Sequence, residues 1–113
     1  MRRTDKKIEK NIRRALTDVC ELALKNIDGF KWLTHHVNYD LFPDSLVVVC
    51  VFETNLQLHQ VYDDKMDDYL SKLIAEKLLE IDIKLQDIQQ QINFDTEQNC
   101  QEQNNGKWHE RLR

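Results

Sequence analysis

From Ile8 to Ile27 the apolar positions Ile8, Ile12, Ala15, Leu16, Val19, Ala23 and Ile27 recur at steps of three and four. That spacing places them on one stripe of an α-helix, predicted from about Asp5 to Asp28. Gly29 follows the last periodic residue and predicts the stop, because a residue without a Cβ takes positive φ at little cost. Thr4 is the candidate N-cap, and Lys6 and Lys7 sit where the helix dipole favours acids, so a frayed first turn is expected.

From Phe30 the period becomes two. Leu33, Val37 and Tyr39 point one way and Trp32, Thr34, His36 and Asn38 the other, as in a strand with one richer apolar face. Asp40–Ser45, with Pro43-Asp44 inside it, reads as a turn. The run Leu46–Phe52 is β-branched and apolar on both faces, which predicts a central strand paired with the first in an antiparallel hairpin.

Residues 55–64 read as a connection with a helical turn around Leu56–Val61. Met66, Tyr69, Leu70, Leu73, Ile74, Leu78 and Ile81 restore the helical period, with Asp63 or Asp64 available as N-cap and Asp67 and Asp68 in the first turn. Residues 81–90 fit helix, strand or loop. Gln91–Asp95 reads as a third strand, brought beside the hairpin by a helical crossover. No internal repeat is visible.

The predicted fold is α+β: a small α-β-β-α-β sandwich with helices packed on one face of a mixed three-stranded sheet. Residues 1–96 form the single domain, and residues 97–113 an amide-rich C-terminal tail, irregular until Trp108. The sheet's other face then needs a cover, and a homodimer partner or the draped tail with Trp108 would supply it.

Charge is distributed unevenly along this frame. Residues 1–14 carry seven Lys/Arg against two acids, residues 15–106 six against seventeen, and residues 107–113 three against one, within a net charge of −4. A basic arm and a basic tail flank an acidic body, which bears on partners and not on fold. Arg3, Lys6, Lys7, Lys10, Arg13 and Arg14 gather on the side of the first helix away from its apolar stripe, a row able to neutralise several phosphates. The tail adds Trp108 and Arg111, an aromatic beside a cation, which suits base stacking or docking onto the sheet.

Several classes lack their residues. Gly29 and Gly106 are the only glycines, so no glycine-rich phosphate loop can be assembled. Ser45 and Ser71 stand outside any G-x-S-x-G setting. His35 and His36 are adjacent on a strand and point to opposite faces, which makes them packed or hydrogen-bonded residues and not a metal pair. Asp44 and Glu53 resemble the acidic pair of a metal-dependent nuclease, but Asn55 stands where that motif has its lysine, so the chain is read as non-enzymatic. Asp63, Asp64, Asp67 and Asp68 lack the glycine and glutamate of a calcium loop. Cys20 and Cys50 are expected in the core and Cys100 exposed; no cofactor or metal is expected. The longest apolar run has no length to span a bilayer and no signal sequence can be assembled, so a cytoplasmic protein without membrane contact is expected.

Two resemblances add to this reading. Arg3-Thr4-Asp5-Lys6-Lys7, Gly29-Phe30-x-Trp32-Leu33-Thr34-His35, Val37-Asn38-Tyr39 with Phe42-Pro43, Val49-Cys50-Val51-Phe52 and Phe94-Asp95-x-Glu97-x-Asn99-Cys100 resemble a family of small bacterial proteins of uncharacterised function, often labelled Fis-family transcriptional regulators. The resemblance covers nearly the whole chain. Its label implies a C-terminal helix-turn-helix with a cationic recognition helix, whereas residues 85–106 contain no Lys or Arg, so no DNA-contact residue is carried over. The element order is also similar to the second type of KH-related domain, though without a G-x-x-G loop. The expected function is RNA or ribonucleoprotein binding through the basic first helix. DNA-binding regulation and a protein-interaction or dimeric scaffold role are the alternatives.

Overall fold

Helix α1 (Arg3–Asn26) buries Ile12, Ala15, Leu16, Val19 and Ala23, the stripe its periodicity prescribes. The computed structural model describes residues 2–113. Thr4 lies inside the helix and not at its cap: Arg2 is the N-cap residue, and its Nε donates to the buried Asp5 at 3.1 Å. Asp5 thus places an acid in the first turn, where the dipole favours it. The helix ends two residues before the expected Asp28, and Gly29 follows at φ +88°.

Strands β1 (Phe30–His36) and β2 (Val47–Phe52) are antiparallel, with Leu33 opposite Cys50 and His35 opposite Val48. The register slips between Phe30 and Trp32. This bulge turns Phe30 toward the core, edge-to-face on Phe52, and leaves Trp32 opposite Val51 on the other face. Strand β3 (Ile92–Thr96) runs parallel to β2, giving the order β1-β2-β3 and the expected mixed sheet. Being central explains why β2 is apolar on both sides. The intervening turn is a short 3₁₀ segment, Tyr39–Leu41, opened by the Asn38 side chain accepting from the Asp40 amide.

Between β2 and β3 the chain is more helical than its hydropathy suggests. The expected connection at residues 55–64 is helix α2 (Asn55–Asp63), with only Val61 buried. A capping box forms it: the Gln57 amide donates to Thr54 Oγ1 and the Thr54 amide to Gln57 Oε1. Helix α3 (Met66–Leu79) buries Leu70, Ile74 and Leu78. Its N-cap is Lys65, at φ +58°, in place of the expected Asp63 or Asp64; Asp67 and Asp68 do occupy the first turn. After α3, Asp82 at φ +63° breaks the helical path, and Ile83 and Leu85 are buried from a loop. One helical turn, α4 (Ile88–Gln91), leads into β3, which begins and ends one residue later than predicted.

The segment after Thr96 corrects the sequence expectation most. In place of an irregular tail it forms α5 (Glu97–Asn104) and α6 (Trp108–Arg111). Thr96 caps α5 through the Asn99 amide at 2.9 Å. Phe52-Glu53-Thr54 and Phe94-Asp95-Thr96 therefore do the same work: each closes one of two parallel strands, and each threonine caps the next helix. This short recurrence was not visible as a sequence repeat. Asn55 fastens the two helix starts together, donating to Asn99 Oδ1 at 2.8 Å and accepting from Thr96 Oγ1 at 2.6 Å.

The core lies between α1, α3 and the sheet face carrying Val48, Cys50 and Phe52. The expectation of helices on one face alone is also corrected. The indole of Trp108 stands edge-to-face on Trp32 at 4.9 Å, and Arg111 reaches Asp95, so the C-terminal segment covers part of the opposite face. No helix among the described residues is long and apolar enough to cross a membrane.

Candidate functional site

The outward face of α1 carries the cationic row. Arg3, Lys6, Lys7, Lys10, Arg13 and Arg14 are all exposed. Steps of three and four residues put successive cations about 5 Å apart along the axis. Arg13 donates to Glu9 at 2.7 Å with its side chain 73% exposed. Among the described residues Arg3, Lys6, Lys7, Lys10 and Arg14 make no ion pair or side-chain hydrogen bond, which leaves five cations free for an external anion.

What holds this face in place is Glu9, on the border between the apolar stripe and the cations. Its carboxylate accepts from Tyr39 Oη at 2.7 Å and meets His35 Nε2 at 3.0 Å, besides Arg13. Helix α1 is thereby tied to β1 and to the turn after it. Burial raises the Glu9 carboxyl, but the His35 and Tyr39 hydrogen bonds, the His35 charge and Arg13 outweigh it and hold the group below the usual carboxylate range. Burial and the Glu9 hydrogen bond push the Tyr39 hydroxyl well up. Sequence reading counted Glu9 as one acid among bases; its i, i+4 spacing to Arg13 was the available signal. His36, on the other face, is exposed, so the two histidines are not a pair.

Trp108 and Arg111 lie elsewhere. Trp108 Nε1 donates to Glu97 Oε1 at 2.8 Å, and Trp32 Nε1 donates to the same oxygen at 3.1 Å. Arg111 spends its guanidinium on Asp95, Gln103 and Asn104, and is 17% exposed. Burial raises the Asp95 carboxyl, but Arg111, the Thr96 amide and Asn99 together hold it low. These two residues serve the fold on the sheet face opposite α1 and are not brought to the cationic row.

The remaining candidates stay apart. Asp44 precedes β2 and Glu53 follows it, where Glu53 pairs with Lys31 at 3.1 Å. The six residues of β2 lie between them and span roughly 20 Å, too far for the two acids to share one ion. Among the described residues no group of three or more His, Cys, Asp or Glu is placed to hold a metal. Cys50 is buried as expected and Cys20 half-buried. Cys100, expected outside, is fully buried because α5 turns its fourth residue inward.

Gln91 was missed altogether. Its buried amide accepts from the Gln86 and Asp87 backbones and donates to the Pro43 and Leu46 carbonyls, every bond at 3.0 Å. It sets where β3 begins. Comparison with protein-family models, curated proteins and solved structures finds no match for this chain.

Proposed function

We propose that this is a non-enzymatic binding protein that takes RNA or a ribonucleoprotein along the outward face of α1. The observation that supports the reading is the row of five exposed, unpaired cations, held on a helix whose first half is fixed to the sheet through Glu9. Such a row meets phosphates without reading bases. Base stacking is not part of the proposal, since Trp32 and Trp108 are committed to each other and to Glu97. Arg111 is set aside for the same reason, and Arg13 counts as a partial contributor. A DNA-binding regulator draws less support: α5, lying where a recognition helix would be needed, carries Glu97 and Glu102 and no cation.

The test is titration of labelled single-stranded RNA and duplex DNA at two salt concentrations, with wild type and the Lys7→Ala/Lys10→Ala double variant. Both lysines are exposed and unpaired, so the variant should fold as wild type does. Salt-sensitive RNA binding that weakens in the variant supports the reading. Equal binding by both proteins, or none at low salt, rejects it.

A further inference from the structure

We propose that the free edge of β3 pairs with the β3 edge of a second copy of this chain, joining two sheets antiparallel across a two-fold axis. The order β1-β2-β3 leaves two edges, and they are treated differently. Edge β1 carries Lys31 and a bulge, and α1 lies beside it, tied to the strand through Glu9 and His35. Such devices discourage strand addition. Edge β3 has neither the lysine nor the bulge: Ile92-Asn93-Phe94-Asp95-Thr96 holds no proline, its register is unbroken, and its one charge is neutralised by Arg111. An unpaired strand edge presents backbone donors and acceptors, and their complement is another strand.

The case for a second copy is self-complementarity. An axis through Phe94 sets Asn93 of one chain opposite Asp95 of the other, whose charge Arg111 already neutralises, so no like charges meet. It also brings Phe94 to its image on the core side. There Tyr62, 46% exposed, stands edge-to-face on Phe94 at 6.0 Å, so each copy offers an aromatic pair to the other's. A C₂ contact requires this kind of patch, in which the same residues serve both partners.

The experiment is sedimentation equilibrium of the full chain over a hundredfold range of concentration, with amide hydrogen exchange at both ends of the range. Expected are a mass rising from 13.6 kDa toward twice that value and slowed exchange confined to residues 92–96 and their surroundings. Tyr62→Lys, which sets like charges against each other across the axis, should return the chain to monomer. Leu79→Lys, at an apolar residue 57% exposed on α3, should leave association unchanged. A 13.6 kDa mass at every concentration overturns the proposal. So does a dimer whose β3 amides exchange as they do in the monomer, whatever the variants do.

Discussion

Arg111 binds Asp95 through two parallel hydrogen bonds, Nε to Oδ2 at 2.5 Å and Nη2 to Oδ1 at 2.9 Å. The side chains are 17% and 16% exposed, so the pair is largely removed from water, and its bidentate geometry compensates the desolvation. It carries the docking of α6, because Trp108 lies at the other end of the same turn. Arg111→Leu leaves a largely buried carboxylate without its cation. The expected cost is about 2 kcal/mol in urea unfolding, with tryptophan emission shifted to the red as Trp108 loses its seat.

Two carboxyl groups make stability depend on acid. Glu9 and Asp95 are both held below the usual carboxylate range in the folded protein. The unfolded chain then binds more protons than the native one as pH falls, so their contribution is complete above the unfolded value, near about 4, and is lost as pH drops through the folded values. Urea midpoints between neutral pH and acid should fall in that window, and less steeply in Glu9→Gln. Tyr39 has the opposite sign. Its raised hydroxyl contributes below the ordinary phenol value and loses that contribution as pH rises above it, so Tyr39→Phe should flatten the alkaline limb.

Apolar periodicity made α1, the hairpin and α3 legible, because each buries a stripe that no other local structure would bury: Ile12 to Ala23, Val48 to Phe52, Leu70 to Leu78. It gave only a helical turn within α2 and missed α5, whose buried faces reduce to Val61 and Cys100. Those helices rest on threonine caps and side-chain amide bonds such as Asn55 to Asn99, and only the Thr54-x-x-Gln57 box was written in local sequence. The cationic row was legible for the same reason as α1. The Glu9 contacts with His35 and Tyr39 were not, since they join residues 26 and 30 positions apart. Trp108 fitted two readings, and only the shared Glu97 acceptor separates them.

Gly29 tests the junction between α1 and β1. Its φ of +88° lies in the left-handed region, and a Cβ added there would stand 2.8 Å from Cβ and Cδ of Gln57. Gln57 is also half of the capping box that starts α2, so it cannot withdraw without loosening that helix. Gly29→Ala should therefore cost about 1–3 kcal/mol, read as a lowered thermal midpoint. The Gly29→Ala/Gln57→Ala double variant should recover only the part due to Cδ, and keep the parts due to the Gln57 Cβ and to φ.

The proposed RNA face makes a quantitative statement about salt. Each phosphate neutralised on a single strand contributes about 0.7 to the slope of log affinity against log salt, so the five free cations together supply at most about 3.5 of it. Lys7→Ala and Lys10→Ala should each lower the slope by about 0.7. Arg13→Ala should lower it less, because Glu9 already takes part of that charge. Trp108→Ala should loosen α6 and lower the thermal midpoint while leaving the slope unchanged, since its indole is bound to Glu97 on the sheet face away from α1. Should Trp108→Ala cut RNA affinity and Lys10→Ala not, the contact surface would be the C-terminal segment, and the cationic row of α1 would be only a solvated helix face.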